Sequence, residues 1–99
     1  MREVVARARV VLLVDGKVGA TPLDVEALRY MTGLGAGVTV VATKIDQVSR
    51  GRRAKALSGI RNTLSLSEGD DLIPVSAHSG EGMKELWSAI LLHLEARIR

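Results

Sequence analysis

The chain alternates between short uninterrupted apolar runs and segments whose apolar residues recur every three or four positions, and it does so three times. Val10-Val11-Leu12-Leu13-Val14 is a largely β-branched run closed by Asp15-Gly16, the pattern of a strand buried on both faces. Val38-Thr39-Val40-Val41-Ala42 repeats that pattern before Thr43, and Leu72-Ile73-Pro74-Val75 gives a shorter third run. Proline cannot donate to a strand ladder, so the third strand is predicted at a sheet edge. Between the strands lie helical segments. Thr21-Pro22-Leu23-Asp24 supplies an N-cap, a proline at the first helical position and a capping-box acid. Leu23, Ala27, Met31 and Leu34 then predict an apolar stripe that ends among Gly33, Gly35 and Gly37. Ala54, Leu57, Ile60 and Leu64 predict a second stripe, ended by the polar turn Ser67-Glu68-Gly69-Asp70-Asp71. Met83, Leu86, Ile90 and Leu94 predict a third, with Trp87 as a packing anchor, Leu91 and Ile98 alongside and His93 flanking the stripe. Residues 1–9 read as a lead-in helix or arm.

The order strand, helix, strand, helix, strand, helix predicts an α/β fold: a three-layer arrangement with a parallel sheet, right-handed crossovers and helices on its faces. Ligands of such sheets bind outside the carboxyl ends of the strands, which directs attention to the residues after 14, 42 and 75. A length of 99 residues holds one domain, and 46% hydrophobic with 25% charged residues is an ordinary globular balance. Without cysteine, disulfide frameworks, thiolate catalysts and cysteine zinc sites are excluded. His78 and His93 have no metal-binding spacing, so no metal site is expected. The net charge of +3 permits contact with a polyanion without requiring it, and one Trp, one Tyr and no Phe offer few stacking platforms for nucleic-acid bases. No signal-peptide pattern or long apolar run is present, and the expected location is the cytoplasm.

Thr43-Lys44-Ile45-Asp46 follows the second strand directly. The aliphatic lysine stem can lie across a flat heterocycle, and the carboxylate two residues later can accept two adjacent hydrogen bonds. Each charge-assisted bond contributes about 1.5–3 kcal/mol. Guanine offers that donor pair at N1 and N2, whereas adenine does not, and a buried carboxylate left unpaired penalises the wrong base. After the third strand comes Ser76-Ala77-His78-Ser79-Gly80, a small-residue loop whose amides can approach a ligand oxygen.

Together, two such loops at the ends of consecutive parallel strands, some 30 residues apart, resemble the guanine-specificity motifs of the translation-factor class of P-loop GTPases. More narrowly, Val10 to about Ala96 resembles the C-terminal half of the EngB-type (YihA/YsxC) ribosome-biogenesis GTPases. The carrying residues are Leu13-Val14-Asp15-Gly16, Thr21-Pro22-Leu23-Asp24, Thr43-Lys44-Ile45-Asp46, Arg50-Gly51-Arg52-Arg53-Ala54 and Val75-Ser76-Ala77, followed by Gly80-Glu81-Gly82 and Glu85-Leu86-Trp87. The resemblance implies that Lys44 covers the guanine ring, Asp46 binds its N1 and N2 groups, Thr43 braces the loop, and the Ala77 amide meets O6 with Ser76 in support. His78 stands where the family often has lysine, at an auxiliary contact.

The chain contains no G-x-x-x-x-G-K-[ST], no DxxG and no switch threonine, so the implied fold is a partial P-loop GTPase fold without the P-loop half. Mg²⁺ is expected only in the intact family domain. GTP hydrolysis is not expected from this chain alone, and guanine-nucleotide (GTP/GDP) binding through the base is expected to be millimolar or weaker. The basic stretch Arg50, Arg52, Arg53 and Lys55, with Arg61, reads either as a solvated helix start or as a contact for ribosomal RNA or a ribosomal subunit. In the family the strand matching Val10–Val14 sits beside the phosphate-loop strand. Its apolar edge is therefore expected to be open to homodimerisation, to coverage by residues 1–9, or to exchange of elements. The rival to a nucleotide-binding portion is a non-catalytic α/β interaction module, possibly one that binds RNA; a flavodoxin- or receiver-like domain is disfavoured by the lack of an acidic pair after the first strand.

Overall fold

The computed structural model describes the backbone of residues 9–98 and the side chains of residues 9–92. Its elements are β1 (Arg9–Asp15), α1 (Pro22–Gly33), β2 (Gly37–Thr43), a 3₁₀ turn (Ile45–Gln47), α2 (Arg50–Leu64), β3 (Leu72–Pro74) and α3 (Met83–Ile98). The three strands form one parallel sheet in the order β1-β2-β3, with Leu12 opposite Val40 and Ala42 opposite both Val14 and Pro74. Pro74 thus lies on an edge strand, where its missing N–H leaves no gap in a ladder. The lead-in assigned to residues 1–9 falls outside the described residues up to residue 8. Arg9 instead begins β1, its guanidinium donating to Thr39 Oγ1 at 3.0 Å and pairing with Asp71 Oδ2 at 3.1 Å.

Alternation along the strands sends Leu12, Val14, Val40, Ala42 and Leu72 to one face. There they pack with Leu28 of α1 and with Ile60 and Leu64 of α2 as a single core. The α1 cap forms as its sequence requires: Thr21 Oγ1 accepts from the Asp24 amide at 3.3 Å and Asp24 Oδ2 accepts from the Thr21 amide at 2.8 Å. The stripe expected on this helix is nevertheless wrong in phase. Leu23 is 74% exposed and Leu34 is also exposed, while Val25 and Leu28 face the core. The chain enters α1 through Ala20, which already packs against the core, and the capping box then fixes the rotation of the first turn. On α2, Leu57, Ile60 and Leu64 point inward as expected, but Ala54 is exposed.

The other face carries Val11, Leu13, Thr39, Val41 and Thr43. Val41 is fully buried, whereas Leu13 is 62% exposed. Met83 and Leu86 of α3 share a groove with Leu13, Val41 and Val75, completing three layers. Trp87 is not the anchor expected of it: it is 59% exposed, although it stands one helical turn from half-buried Met83 and Ile90. His93, Leu94 and Ile98 lie outside the described side chains.

Candidate functional site

The carboxyl ends of the strands are knitted together by backbone bonds. The Val75 amide donates to the Ala42 carbonyl at 2.8 Å and the Ile45 amide to the Val75 carbonyl at 3.0 Å, extending the β2-β3 pairing past Pro74 into both loops. On the other side the Gly16 amide donates to the Thr43 carbonyl at 2.8 Å. A Cβ at Gly16 would stand 2.6 Å from that carbonyl oxygen, so the approach requires glycine. Thr43 Oγ1 donates to the Val14 carbonyl at 3.3 Å, which ties the exit of β2 to the exit of β1.

Lys44 adopts the left-handed conformation, with φ of 57° and ψ of 33°, an uncommon state for a residue with a side chain. It turns the chain sharply into the 3₁₀ turn, whose Ile45 is buried and whose Asp46 is exposed. Lys44 Nζ donates to Asp15 Oδ2 at 3.2 Å. The other Asp15 oxygen accepts from the Lys17 and Val18 amides, at 2.8 and 3.0 Å. The Val18 amide chiefly, joined by the Lys17 amide and the Lys44 ammonium, holds the Asp15 carboxyl below its ordinary value of 3.8 against the opposing effect of desolvation.

Asp46 and Ser76 meet directly. Ser76, fully buried, donates from Oγ to Asp46 Oδ1 at 2.8 Å and accepts from the Ser79 amide at 3.0 Å. The second oxygen of Asp46 has no partner among the described residues, and neither does the Ala77 amide. Thr43, Lys44, Asp46, Ala77 and His78 line a cleft of about 760 Å³, floored by Leu13, Val41 and Val75. That volume lies within the range of about 300–1,000 Å³ of small-ligand sites. The six residues expected to form one site are therefore adjacent, with an apolar floor, a carboxylate oxygen and a backbone donor at its rim. A separate depression of about 520 Å³, lined by Arg9, Arg29 and Asp71 among others, sits by the amino ends of the strands, away from these groups.

The family follows from comparison with known proteins. Residues 3–96 match the model of the elongation factor Tu GTP binding domain. The chain belongs to that family. Among curated relatives, the probable GTP-binding protein EngB of Natranaerobius thermophilus is 35% identical over 80 residues, covering 81% of this chain and 42% of that protein. Its namesake from Geobacillus kaustophilus is 41% identical over 81 residues, covering 82% and 42% respectively. The crystal structure of a probable GTP-binding protein EngB shares the fold, with a TM-score of 0.75 at 22% identity over 87% of this chain and 56% of that one. The chain is thus of the EngB type within the P-loop GTPases, and it spans about two-fifths of the length of these curated relatives.

In this EngB-type chain the basic stretch divides. Arg50, Arg52 and Lys55 are exposed, whereas Arg53 pairs with Glu81 and its side chain is only 19% exposed. Arg61 donates to the Ser67 and Asp70 carbonyls, at 3.0 and 3.3 Å, and so pins the turn before β3. Arg53 and Arg61 were expected to be solvated or to face a polyanion; acceptors far along the chain, invisible to a local reading of charge, recruit them instead. Sequence reasoning also missed Asp15 as the partner of Lys44. Its place at the exit of the first strand is the one signal that pointed there.

Proposed function

We propose that this chain is the base-recognition portion of a guanine-nucleotide-binding domain. The observation that carries the reading is the Asp46 carboxylate, tethered through one oxygen by Ser76 and open at the other, facing a cleft that the free Ala77 amide also borders. Asp46 accepts hydrogen bonds from guanine N1 and N2, and the Ala77 amide donates to O6. Lys44, with its ammonium drawn to Asp15, lays its stem along the ring. Thr43 braces the exit of β2, Ser76 orients Asp46, and His78 contributes an auxiliary contact at the rim. These residues fit the base of GTP or GDP. The side chains that would cradle phosphates and Mg²⁺ belong to sequence motifs this chain does not contain, so hydrolysis by this chain alone is not expected. The whole-protein role that goes with this reading is assembly of the large ribosomal subunit in the cytoplasm.

The test is a chemical-shift titration of the ¹⁵N-labelled chain with guanosine monophosphate (GMP) and adenosine monophosphate (AMP). Shifts at Asp46, Ala77 and Lys44 with the guanine ligand, at millimolar affinity, and none with adenine are expected. Absence of shifts at these residues with GMP refutes the reading.

One arrangement favours a second reading, an RNA-contacting interaction module. Lys17, Arg52 and Lys55, none of them ion-paired among the described residues, line one open groove with no acidic side chain. Salt-dependent RNA binding without guanine preference would favour it. The apolar β1 edge supports homodimerisation as a further proposal, and light scattering that gives a strict monomer at high concentration would remove it.

A further inference from the structure

The two loops that carry the proposed guanine contacts are joined a second time, away from the cleft. Arg53, in the first turn of α2, grips Glu81 with both prongs of its guanidinium: Nη1 bonds Oε2, and Nη2 donates to Oε1 at 3.2 Å. Its Nε donates to the Val48 carbonyl at 3.4 Å, just past the 3₁₀ turn that holds Asp46. Glu81 in turn accepts the Ser76 amide on its backbone carbonyl at 2.9 Å, and the Ser76 hydroxyl bonds Asp46. The links close into a ring running from Asp46 through Gln47 and Val48 to Arg53, across to Glu81, back to Ser76 and so to Asp46.

A forked guanidinium–carboxylate contact fixes orientation as well as distance, because both groups are planar. Neither Arg53 nor Glu81 lines the cleft, so neither can touch a base bound there. Gly82, with φ of +77°, allows the chain after Glu81 to fold back against the Pro74 carbonyl, where a Cβ would collide. The carboxylate of Glu81 is thereby presented to α2 from a constrained turn. We infer that Arg53 and Glu81 are a positioning pair for Asp46 and the Ala77 amide, and that they set how sharply the site separates guanine from a base lacking the exocyclic amino group. A single hydrogen bond tolerates some rotation of the carboxylate, but two parallel bonds to N1 and N2 do not. Slack between the loops therefore costs the N2 bond first.

This inference rests on the guanine reading, and the experiment keeps the two apart. The ratio of affinities for GMP and inosine monophosphate (IMP), which differ only by the amino group, is measured by chemical-shift titration in the 99-residue chain and its variants. The original chain is expected to prefer GMP by about tenfold, the value of one charge-assisted bond. Glu81→Gln is expected to bring the ratio toward unity. Arg53→Lys, which keeps the charge but loses the fork, is expected to lower it by a smaller factor and carries the comparison should Glu81→Gln fail to fold. Glu26→Gln makes the same charge change as Glu81→Gln at an exposed position of α1, outside the cleft, and is expected to leave the ratio unchanged. Folded Glu81→Gln or Arg53→Lys chains that keep the tenfold preference overturn the inference. A chain that shows no preference before any substitution overturns the guanine reading beneath it.

Discussion

The two faces of the sheet are finished to different degrees. Toward α1 and α2, Val14, Val40, Ala42, Leu28, Ile60 and Leu64 form a closed cluster, each at most 8% exposed. Toward α3, Val41 is buried but Val11 and Leu13 are 41% and 62% exposed, and the helix leaves a cleft rather than a seam. The closed face holds the chain in register, and the site stands where the open face meets the carboxyl ends of the strands. Stability and recognition therefore draw on different side chains, and substitutions can separate them.

The largest effect is expected in the closed face. Ile60, 1% exposed, fills the centre of the core, and Ile60→Ala should cost about 2–5 kcal/mol in urea-induced unfolding, a large share of the roughly 5–15 kcal/mol that ordinarily holds a domain folded. Leu13→Ala deletes similar apolar bulk from the open face and should cost well under half as much. Equal costs would mean that the open face is covered in solution, which is also the condition that homodimerisation through β1 requires.

The next effect belongs to the site. Asp46→Asn keeps an oxygen for Ser76 but removes the charge, and should weaken GMP binding by tenfold or more, about 1.5–3 kcal/mol, while the unfolding midpoint barely moves because Asp46 is exposed. Parallel titration and denaturation of one sample check both halves. A large stability loss would show that the carboxylate serves the fold rather than the ligand.

A smaller effect tests the closed face at its rim. Thr21→Ala removes the Oγ1 acceptor of the capping box at the start of α1, leaving the bond from the residue 21 amide to Asp24, and should cost about 1 kcal/mol, read by denaturation, with GMP titration unchanged. Altered shifts at Asp46 or Ala77 would show that the two faces are mechanically coupled.

Much of this division was legible in the chain. Three runs of adjacent apolar residues gave the strands and their order, because a strand buried on both faces needs no polar alternation. The placement of Thr43-Lys44-Ile45-Asp46 and Ser76-Ala77 at strand exits put both loops at one end of a parallel sheet, and Asp46 and Ser76 are bonded there. Phase within the helices was less legible. Leu23 and Leu34 are apolar at good spacing yet exposed, since the rotation of α1 is set by Ala20 and the cap, not by which leucines the helix contains. Trp87 misleads in the same way: its bulk suggests an anchor, but an open face gives it nothing to anchor against. The Arg53–Glu81 contact could not be read at all, because a pair separated by a helix, a strand and two turns leaves no local pattern.

The smallest expected effect concerns the ion pair that ties the two loops on the β1 side. The Asp15 carboxyl is held below 3.8 in the folded chain by the Val18 amide first, then by the Lys17 amide and Lys44. A group whose value is lowered on folding adds stability that is fully present above its unfolded value of about 3.9 and is lost as pH falls through the lower folded value. The chain should therefore lose a slight increment of stability in acid, below about pH 4, and Asp15→Asn should flatten that part of the profile while leaving it unchanged near neutrality in slope. The same protonation frees Lys44, so a titration followed at the Lys44 amide should move in step with the Asp15 carboxyl. If Lys44 shows no transition there, its ammonium is not held by Asp15 in solution, and the lysine stem reaches the cleft by another route.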